Sequence, residues 1–140
     1  MKLREAERQQ RRIELADAFH AESILHEQAA QLEQEIRDVE QRSRVISSPG
    51  RVHVDRVLDT HRYKLILKSQ IMVLSQKEAQ LQTEIERRRA VLAAADRDVR
   101  VLDKLRERKR EEHDAAESRR ESRQLDDFAV QRWSRDKDEP

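Results

Sequence analysis

The chain has no cysteine, so neither a disulfide nor a thiolate metal site holds it together. It has one glycine, Gly50, whereas a phosphate-cradling loop needs several. Its two prolines are Pro49 and the final residue, Pro140, so no proline interrupts the chain from Gly50 onward until its last residue. Asparagine is missing, and with it the side chain that basic helices use to read adenine. The aromatics are Phe19, Tyr63, Phe128 and Trp133, too few for the stacking platforms of a single-strand binder or for a compact core. The longest apolar run, Ala90 to Ala95, falls far short of the roughly 18 residues of a membrane span. The opening MKLREAERQQ lacks the apolar centre of a signal peptide, which predicts a cytoplasmic protein. An excess of either charge is missing too. With 30 basic and 29 acidic side chains, a net charge of +1 gives no global pull toward nucleic acid or a membrane.

What is present is charge, at 42% of residues, mixed with Ala, Leu and Gln. That is the composition of long helices and coiled coils. Stepping by four and three from Leu67 gives Leu67, Ile71, Leu74, Glu78, Leu81, Ile85, Arg88, Leu92, Ala95, Val99 and Leu102. Only Glu78 and Arg88 break the apolar stripe, which keeps one face of a helix turned toward a partner. The same step earlier in the chain gives Leu15, Ala18, Glu22, Leu25, Ala29, Leu32, Ile36 and Val39. Leu3, Ala6 and Ile13 follow another phase, which predicts a local change of winding before Leu15.

Between the two stripes lies SSPGRVHV. Pro49 cannot continue a helix and biases Ser48 away from helical geometry. Gly50 takes a positive φ at little cost. Val52 and Val54 prolong the break, and Asp55 suits the N-cap of a second helix. The prediction is an all-α chain of one domain: a long two-helix antiparallel coiled-coil hairpin with a C-terminal helical overhang. Helix one covers residues 2–46, the turn 47–54 and helix two 55–133. Folding about residue 50 brings Val39 near Tyr63 or its neighbours, Ile36 near Leu67, Leu25 near Leu74, Leu15 near Ile85 and Leu3 near Val99. Residues beyond about 100 are then left without a partner and extend roughly 50 Å. With little to bury, they are expected to fray in isolation.

Nothing in this pattern calls for catalysis, a cofactor or a metal. His20 and His26 are six residues apart and on roughly opposite helix faces, and His53 and His61 straddle the helix start. Most charges read as a solvated helix surface. The one basic cluster is Lys104 to Arg110, interrupted by Glu107 and followed by Glu111 and Glu112. It suits an acidic protein surface better than nucleic acid. Tyr63 is either a seam filler or a partner contact near the hairpin tip. Phe128 and Trp133 lie on the overhang and read as a partner surface or as a disordered end.

The segments KLREAERQQ, the break at the lone glycine, DRVLDTHRYKLIL and VLDKLRERKREEHDAAESRRESRQLDDFAVQR, in that order, resemble the flagellar export protein FliJ family. The resemblance implies a non-enzymatic component of the flagellar type III export apparatus, built like the central stalk of rotary ATPases. It implies three partners: the hexameric export ATPase, the cytoplasmic domain of the export gate, and export chaperones. Such a protein works in the cytoplasm at the inner-membrane face and meets the membrane only through partners. The resemblance places the gate contact near the tip at Tyr63 and Leu67, with Ile36 and Val39 opposite. It places the ATPase contact at the other end, on Leu3, Arg4, Lys104, Arg106, Lys109, Arg110 and Phe128. Family members usually carry an aromatic-rich strip of the form F-x-F-x-L-x-x-V-L before KLRE. This chain starts at Met1-Lys2-Leu3, about ten residues later than that pattern, so the resemblance implies either a misassigned start or a short first helix. Two other readings remain at this point: a self-associating parallel coiled coil with the turn as a kink, and a basic-helix nucleic-acid binder.

Overall fold

The computed structural model describes residues 1–46 and 54–139. The expected turn, with Pro49 and Gly50, lies outside the described residues. Two helices make up the fold: α1, Lys2–Ile46, and α2, Val54–Asp138. Neither contains a glycine or proline, and both are dominated by good helix formers. Acidic residues stand in each first turn, Glu5 and Asp55, and basic ones in each last turn, Arg44 with Arg135 and Lys137. Both placements complement the helix dipole. Asp55 therefore sits inside the first turn of α2 rather than capping it. The helix also runs past residue 133 to Asp138, because nothing in SRDKD breaks it.

The two helices pack antiparallel, and the seam is the one read from the sequence. Every residue of both 4-3 series is buried or half-buried. Among the described residues the buried apolar side chains are Ala18 and Val39 on α1 and Leu67, Ile85, Ala95 and Val99 on α2. The register is fixed by a ladder of cross-helix contacts. Lys64 meets Glu40 at 3.1 Å, His26 meets Glu78 at 2.5 Å, and Arg8 meets Asp96 at 3.9 Å. Between these rungs Gln82 donates to Glu22, and Arg88 donates to the Glu14 carbonyl. The last two bracket Ala18 and Ile85, which therefore face each other, small against large, with 2% and 1% of their surface exposed.

Two expectations are corrected. Leu25 shares a groove with Lys77, Gln80 and Leu81, while Leu74 shares one with Gln28, Leu32 and Glu35. The expected Leu25–Leu74 pairing is thus off by about one turn, as is Leu15–Ile85. Next, α1 does not change phase before Leu15. Leu3 and Ile13 are 80% and 47% exposed, and Arg8 and Arg11 occupy the continued seam half-buried. Arginine can do this because its aliphatic stem covers apolar surface while the guanidinium reaches water. At the tip, Lys64, next to Tyr63, pairs with Glu40, next to Val39, as expected, and Tyr63 lies at the edge of the seam, 41% exposed. From Asp103 onward every described residue of α2 is exposed, a lone helix of roughly 50 Å.

Candidate partner-binding surfaces

The tip is built around Tyr63, 41% exposed, whose hydroxyl donates to the Glu35 carboxylate across the hairpin. That hydrogen bond, then partial desolvation and the nearby negative charge, raises the phenol's pKa above its usual 10. Beside it, Lys64 donates to Glu40 and holds that carboxyl below its usual range. Leu67 and Val39 are interior, at 2% and 8% exposure, and Ile36 is half-buried. These three are seam residues and do not form the apolar patch expected at the tip. Exposed apolar side chains there include Val45, Val54, Leu58, Leu65 and Ile66, and Ile66 lies one turn beyond Tyr63.

Midway along, the seam carries an acid on each helix, Glu22 and Glu78. His26 donates to Glu78, and one ligand-type atom from each of the three lies within 4.8 Å of the others. The hydrogen bond to Glu78, followed by the charges of Glu78 and Glu22, raises the imidazole's pKa. The ring serves as a cross-helix donor. One step further, Glu84 accepts from Arg87 and Arg88, which lower its pKa to about 2. Arg88 then reaches across to the backbone of α1, fixing the register where the seam is polar.

At the far end a groove opens where α1 begins and α2 continues. Met1, Leu102 and Leu105 supply apolar surface, while Lys2, Arg106 and Lys109 supply positive charge, with Glu5 among them. Leu3, Arg4, Lys104, Arg106, Lys109 and Arg110 are all exposed, and Phe128 is 69% exposed. The structure brings Arg4 together with Asp98 at 3.7 Å and leaves Phe128 far along the overhang. Sequence reasoning did not find the Tyr63–Glu35, His26–Glu78 and Arg88–Glu14 pairs. Once the register is known, the last two follow from counting outward from the turn, while Tyr63 reaches Glu35 diagonally, more than a turn away from the residue opposite it. No helix among the described residues is long and apolar enough to cross a membrane.

Two long helices that present their chemistry on open faces define a coiled-coil scaffold, a protein that works through surfaces. The family model of the flagellar FliJ protein matches residues 1–138. The chain belongs to that family, whose members serve flagellar biogenesis and protein export. Neither the curated proteins nor the solved structures provide a match to it.

Proposed function

We propose that this chain is a non-enzymatic stalk of the flagellar type III export machine. Its basic end enters the hexameric export ATPase, and its tip meets the cytoplasmic domain of the export gate. It also takes up export chaperones. It works in the cytoplasm at the inner-membrane face and touches the membrane only through these partners. The observation that carries this reading is α2 itself, one helix that forms the tip and then runs past the start of α1 as an unpartnered rod. A single body thereby holds an aromatic tip and a basic cluster roughly 65 Å apart. At the gate end Tyr63 makes the contact with Ile66 beside it, while Ile36, Val39 and Leu67 act by holding the helices together. At the ATPase end Leu3 and Arg4 join Lys104, Arg106, Lys109, Arg110 and Phe128.

The test separates the two ends. Arg106, Lys109 and Arg110 share one helix face. Reversing all three to Glu is expected to abolish stimulation of ATP hydrolysis by the purified ring and to leave gate binding intact. Tyr63→Ala is expected to do the opposite, weakening gate binding by about 1 to 2 kcal/mol. Normal stimulation by the triple reversal overturns the ATPase contact, and unchanged gate binding by Tyr63→Ala overturns the tip contact.

A further inference from the structure

The first turns of α1 are attached differently from the rest. From Leu15 to Val39 the helix meets α2 through apolar side chains at nearly every seam position. Before Leu15 it buries none: Leu3 is 80% exposed, Ile13 is 47% exposed, and Ala6 faces solvent. What connects this stretch to α2 is the aliphatic stems of Arg8 and Arg11, half-buried over the seam, and a set of ion pairs. Arg4 stands 3.7 Å from Asp98, and Arg8 and Arg12 each stand 3.9 Å from Asp96. These are ion pairs beyond hydrogen-bonding distance, between partly exposed groups, the class that contributes least to stability and is most weakened by salt. Yet the surface beneath them is apolar, since Ala95 and Val99 of α2 are only 8% and 3% exposed. The released arginine Arg4 also has somewhere to go, because it already bonds Glu7 on its own helix at 3.0 Å.

We propose that residues 2–13 form an electrostatic strap. The strap lets go of α2 as a unit when its arginines are screened by salt or claimed by an acidic surface, and α1 from Leu15 onward stays paired. Release uncovers Ala95 and Val99 and extends the apolar stripe that Leu102 and Leu105 begin. The same three arginines thus close the hairpin and open it, depending on which carboxylates they face. The inference concerns the chain alone and stands whether or not the stalk reading does.

The lack of cysteine permits clean labelling. Spin labels on Leu3→Cys with Val101→Cys report the strap, and labels on Gln31→Cys with Ser69→Cys report the middle of the hairpin. Distances are measured in the full chain at about 0.01 M and 1 M salt, where the screening length falls from about 30 Å to 3 Å. The strap pair is expected to be narrow at low salt and long and broad at high salt, with the middle pair unchanged. Amide exchange in residues 2–13 is expected to speed up by about tenfold or more under the same change. Asp96→Asn with Asp98→Asn should give the released state already at low salt. Ordinary end fraying gives a broad strap distance at both salts and overturns the proposal. So does a strap distance that salt leaves narrow, loosening of both pairs together, or wild-type behaviour of the Asp96→Asn, Asp98→Asn chain.

Discussion

The hydroxyl of Tyr63 on α2 donates to the carboxylate of Glu35 on α1, closing the tip of the hairpin from the outside. Ionising the phenol removes the donor and sets two negative charges together, so the folded pKa is raised above 10. A raised pKa in an acid means that the bond's contribution is present below the unfolded pKa, about 10, and is lost as pH rises through the folded value. Tyr63 is the only tyrosine, so ultraviolet absorbance titrates it alone. The midpoint is expected above 10 in the native chain and nearer 10 in Glu35→Gln. A native midpoint at or below 10 would sink this pairing.

Ile85 facing Ala18 is the tightest point of the seam. Ile85→Ala should cost about 2 to 5 kcal/mol, because the opposing alanine cannot fill the space. Ala18→Leu should cost about 1 to 3 kcal/mol by overpacking the same point. Leu81→Ala and Leu92→Ala, at half-buried positions, should fall toward the low end of the first range. Urea unfolding followed by circular dichroism measures all four. An unchanged midpoint in Ile85→Ala means that the register is wrong.

His26 carries its proton more tightly in the folded chain than in the unfolded one, chiefly through the hydrogen bond to Glu78. Its contribution is therefore complete below the unfolded pKa of about 6.5 and disappears as pH rises through the higher folded value. Melting temperature is expected to decline from slightly acid to slightly alkaline pH, and His26→Gln should flatten that decline. An identical slope in the variant removes His26 from the account.

The overhang is readable through the lone tryptophan. Trp133 is 64% exposed, and the Lys137 ammonium lies 4.0 Å from the ring centroid. In the free chain acrylamide should quench its fluorescence nearly as well as it quenches a free indole, with red-shifted emission. Lys137→Ala should leave both unchanged, since an exposed cation–π contact is worth only about 0.5 to 1 kcal/mol. Protection of Trp133 in the dilute free chain would show that the overhang packs against something.

The architecture was legible because apolar periodicity is a property of the backbone period. Eleven positions counted from Leu67 and eight from Leu15 all lie in the seam, including the polar Glu22, Glu78 and Arg88. Two things were not legible. Counting apolar residues favoured Leu3, Ala6 and Ile13 over Arg8 and Arg11, although a long aliphatic stem satisfies a thin seam as well as a leucine does. The register also depends on how many residues the turn consumes, and an error of one turn leaves every apolar position apolar. Only the polar rungs, Glu40–Lys64 or Glu22–Gln82, distinguish the alternatives, and they have no local signature. Leu67 lies where the periodicity put it, in the seam; only its place in a gate contact came from the family resemblance.

Because α2 is unbroken from Val54 to Asp138, it carries azimuth as well as reach. Each residue turns the helix by about 100°, so one residue inserted near Ser118 would swing Phe128 and Trp133 that far around relative to Tyr63. It would lengthen the rod by only about 1.5 Å. Seven inserted residues would lengthen it by about 10 Å yet return those side chains to within about 20° of their original bearing. Any two partners that gripped opposite ends would therefore be phased with respect to each other, and the spacing between the ends could drift by whole heptads more freely than by a single residue.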